Sequence, residues 1–259
     1  MIWTTRRRSE VGPLAAIISG DGPQILLIHG VGLRAEAWTA QIDALACDHR
    51  VVAVDIPGHG QSALPQSATD LGAFTQSVAA CLDQPTVVVG HSFGAMIAID
   101  LAIRYPDAVV GVAALNAIYR RNATARAAVL ARANSLDGVR ATDPTPPLDR
   151  WFGPAPCPAR DACRDWLLSV DQAGYKAAYT VFATEDGPRD AALAALACPA
   201  LFMTGARESN STPQMSRDMA ALAPKGRAIV VDGAAHMMPM THPDPVNTAL
   251  GAFARACFA

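Results

Sequence analysis

Lysine is nearly missing: Lys176 and Lys225 are its only instances in 259 residues, and arginine supplies the rest of the positive charge. With a formal net charge of −2, the chain has no basic field for nucleic acid or an anionic membrane, and a small or neutral partner is expected. Long apolar runs are missing too, none approaching the ~20 residues of a membrane span. Neither C-x-x-C nor any metal-type spacing occurs among Cys47, Cys81, Cys157, Cys163, Cys198 and Cys257. They read as buried thiols of a reducing, cytoplasmic compartment, with no metal and no cofactor implied. Arg6-Arg7-Arg8 is not followed by a usable apolar region, because Gly12, Pro13 and Gly20 interrupt it, so these arginines are expected on a solvated strand face. Repeats and low-complexity tracts are absent.

What is present is an alternation of short apolar runs and helical stripes, in a length suited to one domain or one domain with an insertion. Strands are expected at Leu14 to Ile18, Gln24 to Ile28, Arg50 to Val54, Val109 to Leu115, Ala200 to Thr204 and Ala228 to Val231. The continuous apolar character of Gln24 to Ile28 suits a sheet covered on both faces. Helices are expected from Glu36 to Leu45, from Asp70 to Leu82, from Met96 to Arg104, from near Pro213, and from Pro245 to Phe258. Between residues 117 and 190 the alternation stops. Arginine- and alanine-rich helix gives way to a proline-rich loop from Asp143 to Pro158, then to more helix. This divides the chain into a core of residues 1–116 and 191–259 and a helical cap insertion of 117–190.

The stretch with most chemical content is Val87-Val88-Val89-Gly90-His91-Ser92-Phe93-Gly94-Ala95-Met96, a β-branched run meeting G-x-S-x-G and then an apolar helix. A strand feeding a tight turn feeding a helix puts the central serine at a sharp elbow, with glycines where side chains would clash. Ser92 therefore reads as a nucleophile held clear of the sheet.

Four further motifs accompany it in order: His29-Gly30, Asp55-x-Pro57-Gly58-His59-Gly60-x-Ser62, the Gly205 to Pro213 loop, and Gly233-Ala234-Ala235-His236. Together the five resemble the α/β-hydrolase fold over essentially the whole length. Arg150-Trp151-Phe152 and Asp171-Gln172-Ala173-Gly174-Tyr175 resemble the cap of enol-lactonase-like carboxylesterases. The resemblance implies a mostly parallel, doubly wound α/β sheet with an inserted cap, and a triad in the order serine, acid, histidine.

Carried onto this chain, that order makes His236 the base; its rival His242 precedes Pro243, where a turn or capping role fits better. The acid falls on Glu208, where the family usually carries aspartate, while the alternative site at the end of the preceding strand holds Asn116. Asp186, Asp190 and Asp218 lie in or near helices without motif support, and an ion pair with Arg207 is the plain alternative for Glu208. Backbone N–H groups of Val31 and Phe93 are implied as oxyanion donors. Trp151, Phe152, Trp166, Tyr175 and Tyr179 are candidate pocket residues, with Trp151 foremost. His29, His59 and His91 either touch substrate or fix loops, and His49 reads as surface.

The resemblance thus implies a cofactor-free hydrolase that opens a small ester or lactone, acting as monomer or homodimer. Two alternatives share the fold and triad: a C–C hydrolase of a vinylogous diketone, and a small-molecule receptor with slow turnover. A cap with aromatics, few charges and no evident carboxylate cluster to pair an ammonium is expected to favour esters or lactones with modest apolar groups over peptides with a free amino terminus.

Overall fold

In the computed structural model, which describes residues 3–66 and 68–259, eight strands form one sheet. They are β1 (Ser9–Val11), β2 (Leu14–Ser19), β3 (Gln24–Ile28), β4 (Arg50–Val54), β5 (Thr86–His91), β6 (Val109–Leu115), β7 (Ala200–Gly205) and β8 (Gly226–Val231). Their order is β1-β2-β4-β3-β5-β6-β7-β8. β2 runs antiparallel to both neighbours and every later pairing is parallel. The expected strand bounds are met for β3, β4 and β6.

The apolar run of β3 explains its own burial. Leu26 and Ile28 join one apolar cluster while Ile25 and Leu27 join another, so alternate side chains enter the cores on opposite faces of the sheet. Helices α1 (Thr39–Leu45), α2 (Leu71–Ala79), α3 (Phe93–Arg104), four cap helices, α8 (Asp190–Ala194), α9 (Pro213–Leu222), α10 (Met238–Thr241) and α11 (Pro243–Phe258) complete the chain. The cap helices, between β6 and α8, are α4 (Ala123–Ser135), α5 (Thr145–Phe152), α6 (Pro158–Ser169) and α7 (Gln172–Thr184).

Several local expectations are corrected. The helix expected from Glu36 begins instead as a 3₁₀ turn, Ala35–Trp38, before α1. Asp55 Oδ1 accepts the Ala35 N–H at 2.8 Å, and the Glu36 carboxylate is drawn to Arg8 and Arg34, which tightens the entry. Arg8 is no solvated strand residue: its side chain is 4% exposed and bridges Glu36 at 2.6 Å and Asp55 at 2.8 Å. Burial alone would raise the pKa of Glu36, but Arg8 and Arg34 hold it at about 2.

His49 is buried, with its ring beside Phe258. Cys47 is exposed, and Cys157 and Cys257 are half-buried, so only Cys81, Cys163 and Cys198 are the buried thiols expected. The proline-rich loop contains α5, because Pro146 and Pro147 fall in its first turn, where an N–H has no helical acceptor to lose. Among the described residues no helix is long and apolar enough to cross a membrane.

The cap helices bury their own apolar cluster, in which Leu148, Trp151, Cys163, Trp166, Leu167 and Tyr175 meet Leu33, Ala37, Met237 and Met240 of the core. One close approach sets where α7 lands. A Cβ on Gly174 would lie 2.2 Å from the carbonyl oxygen of Gly58, so backbone meets backbone where the cap touches the Asp55–Ser62 loop. Asp171 caps this helix by accepting the Gly174 N–H at 2.6 Å.

Candidate active site

Ser92 sits between β5 and α3 with φ 58 and ψ −118, left-handed backbone that a non-glycine residue adopts at a cost. The flanking glycines make the turn possible: a Cβ on Gly90 would lie 2.0 Å from the Gly94 carbonyl oxygen, and one on Gly94 would lie 2.1 Å from that of Ile28. Gly30 crosses close above, where an added Cβ would be 3.0 Å from Ser92 Cβ. The N–H groups of Val31 and Phe93 have no acceptor among the described residues, and both residues border this turn.

His236 follows β8, and its Nδ1–H donates to Glu208 Oε2 at 2.6 Å. Glu208, from the loop after β7, is 5% exposed. Its other oxygen, Oε1, accepts the N–H groups of Asn210 at 2.7 Å and Ser211 at 3.4 Å. Asn116 donates to Oε2 at 3.4 Å from the end of β6. Burial by itself would push the Glu208 carboxyl up, but the His236 charge and these donors hold it at about 2. With Nδ1 turned to the carboxylate, His236 Nε2 has no hydrogen-bond partner among the described residues. Backbone bonds from Ala206 N to Val231 O and from Arg207 N to Ala234 O, at 2.9 and 2.8 Å, tie the acid and base loops together. The rivals lie elsewhere: Asp186 pairs with Arg121 and Arg126, Asp190 with Tyr119 and Arg120, Asp218 with Gln214, and His242 with the Thr241 hydroxyl.

The three glycine-flanking histidines fix loops. His29 is fully buried, donates from Nδ1 to Gly30 O at 2.8 Å and accepts the Ile56 N–H at 3.1 Å, so its expected substrate contact is not made. His59 donates to Pro57 O, and His91 donates to the carbonyl oxygen of His236 at 2.8 Å, joining the elbow to the base loop. Burial disfavours the imidazolium in all three and lowers His59 and His91 to about 3.

An unfolded chain protonates these two near pH 6.5, the folded protein only near pH 3, so the unfolded state binds more protons between those limits. Stability is therefore complete above pH 6.5 and is lost as pH falls towards 3. Each group is expected to add a slope of up to about 1.4 kcal/mol per pH unit. Urea midpoints measured at pH 7, 6 and 5 should fall, and His59→Gln should flatten that fall. An unchanged slope in the variant would remove His59 from the account.

Ser92, His236, Gly30 and Val31 share a cavity of about 190 Å³ roofed by the cap. Trp151 and Tyr175 line it as expected, and so does Tyr179. Trp151 stacks on the His236 ring at 5.6 Å with an interplanar angle of 20°, so it also braces the base. Phe152 and Trp166 do not line it: both pack in the cap's own apolar cluster, Trp166 edge-on to Trp3.

The expectation of few charges in the roof is overturned, because Arg121, Arg132 and Arg150 all line the cavity, while no Asp or Glu among the described residues does. Ala125, Ala128, Val129 and Arg132 share one face of α4 at helical spacing, but an alanine-rich helix gives that face too little contrast to be read from sequence.

A model described as the alpha/beta hydrolase family matches residues 25–249. The (E)-2-((N-methylformamido)methylene)succinate hydrolase of Acinetobacter baylyi is 37% identical over 240 residues, covering 90% of this chain and 91% of that protein. A thermophilic esterase from Thermogutta terrifontis, solved with malate bound, superposes with a TM-score of 0.83 at 24% identity, over 98% of this chain and 100% of that one. The enol-lactonase of Burkholderia xenovorans superposes with a TM-score of 0.81 at 22% identity, over 96% and 100%. At such identities these two structures speak for the fold.

Proposed function

Because the chain belongs to the alpha/beta hydrolase family, we propose that it is a serine hydrolase of a small carboxylic ester or lactone. The observation that carries this reading is the 2.6 Å Glu208–His236 pair, whose histidine lines the cavity that also holds Ser92 in its strained turn.

In this reading Ser92 Oγ attacks the acyl carbon as its proton passes to His236 Nε2, and the carbonyl electron pair moves onto oxygen. The Val31 and Phe93 N–H groups receive that oxyanion. When the tetrahedral species collapses, the bond to the leaving oxygen breaks, and His236 returns the proton to it. Water then repeats the sequence on the acyl-enzyme, releasing the acid and restoring Ser92. Glu208 stays ionised throughout and steadies the imidazolium.

A second reading is hydrolysis by the same residues of a bond other than an ester, such as the C–C bond of a vinylogous diketone; the A. baylyi relative, named for an amide-bearing methylene succinate, supports a non-ester substrate. The substrate is the partner in either case.

Parallel assays of 4-nitrophenyl acetate and butyrate, a five-membered lactone, a vinylogous diketone and a proline anilide test the reading. Steady turnover of an ester or the lactone is the expected result. Turnover of the diketone alone would favour the second reading. Anilide cleavage with inert esters would overturn the substrate class, and a single turnover followed by silence would favour a receptor.

A further inference from the structure

The three cavity arginines are not equivalent. Arg121 is committed to the protein: its side chain is 3% exposed, and it donates to the carbonyl oxygens of Glu185 and Phe182, lies 3.4 Å from Asp186 and stacks over the Phe182 ring. It caps the C-terminus of α7. Arg132 is different. Half-buried on α4, it has no carboxylate partner among the described residues; its contacts are the Tyr175 hydroxyl at 3.1 Å and the Tyr179 ring at 5.4 Å. Its remaining N–H groups have no acceptor among the described residues. Arg150, exposed on the last turn of α5, also has no ion pair among the described residues.

We propose that Arg132, held by Tyr175 and assisted at the rim by Arg150, is the anchor for a carboxylate on the substrate, so that the compound hydrolysed is a half-ester, lactone or related acyl derivative of a dicarboxylic acid. The proposal rests on the hydrolase reading and names the substrate class of that same site.

A partly desolvated guanidinium without a counter-charge is costly unless a ligand supplies one. A planar fork with free donors matches a carboxylate in two hydrogen bonds. With no acidic residue among the described residues on the cavity wall, the field favours an anion and disfavours an ammonium group.

Tyr175 also sets the reach. A Cβ on Gly32 would lie 2.9 Å from Tyr175 Cε2, so the ring that holds Arg132 packs against the turn carrying the Val31 N–H. Anchor and oxyanion donor are thereby spaced through one rigid side chain, which selects for the number of atoms between the carboxylate and the scissile carbonyl.

The test compares monomethyl succinate, glutarate and adipate, each against the neutral methyl ester in which a methyl group replaces the carboxylate, with kcat/KM read by proton release. The parent is expected to prefer the anionic ester for at least one chain length. Arg132→Gln should cut that preference about 10- to 100-fold, the usual range for one charge-assisted pair. Arg132→Lys, which keeps the charge but loses the fork, should fall between. Arg126→Gln is the charge control, since Arg126 pairs with Asp186 and does not line the cavity; it should leave the preference unchanged.

No preference in the parent, or the same preference after Arg132→Gln, overturns the anchor while leaving the hydrolase reading standing. Inert esters throughout would instead overturn the ester reading of the site. The anchor is then decided by calorimetric binding of glutarate, which supports it if Arg132→Gln weakens binding and sinks it otherwise.

Discussion

Ser92→Ala is expected to abolish labelling by a fluorophosphonate probe and to lower kcat on the best ester by on the order of 10⁴-fold or more. The size follows from what is removed. Without the hydroxyl there is no covalent intermediate, and His236 and Glu208 are left to act on water alone. Only binding and the oxyanion donors of Val31 and Phe93 then contribute. Alanine retains the Cβ and the left-handed backbone of the elbow, so the fold should persist and the melting temperature should match the parent. Mass spectrometry of the labelled peptide identifies the site. Labelling that survives in Ser92→Ala would reject the elbow serine as nucleophile.

Glu208→Gln should come next in size, with a loss of roughly 10³- to 10⁴-fold in kcat and little change in melting temperature. The amide keeps the shape but presents no charge to the imidazolium. It can also turn its NH₂ towards Nδ1, which favours the wrong tautomer. Glu208→Asp should retain more activity, because the charge remains, but it loses contact: the carboxylate withdraws by about one methylene from a 2.6 Å bond.

As Glu208 is held at about 2, the acidic limb of the parent's pH–rate profile should not be assigned to it. An active Glu208→Gln protein alongside a dead Asp218→Asn protein would move the acid elsewhere. Asn116 enters this result indirectly: it donates to the same Oε2 that receives Nδ1–H, so it reinforces the acid from the strand end where the family's alternative acid would stand.

The elbow and the candidates for base and acid were legible because their signals are local or ordered. Gly90 and Gly94 announce a turn too tight for side chains, and Glu208 and His236 each follow a recognisable strand. His29, His59 and His91 were harder, since a histidine beside a glycine turn looks alike whether its ring reaches a substrate or a buried carbonyl. Arg8 was misread for a related reason. Three successive arginines look solvated until Glu36 and Asp55, 28 and 47 residues later, are brought to them.

By itself, the sequence determined the order of the strands from β2 to β8 and the elbow turn, and it named Ser92, Glu208 and His236 as candidates, because periodicity and turn chemistry act over a few residues. Tertiary structure alone decided which cap side chains face the cavity. It folded Phe152 and Trp166 into the cap's own core, stacked Trp151 on His236, and left Arg132 facing the cavity without a counter-charge among the described residues. Those outcomes depend on how four short helices pack over the sheet, and packing joins residues whose separation along the chain carries no signal.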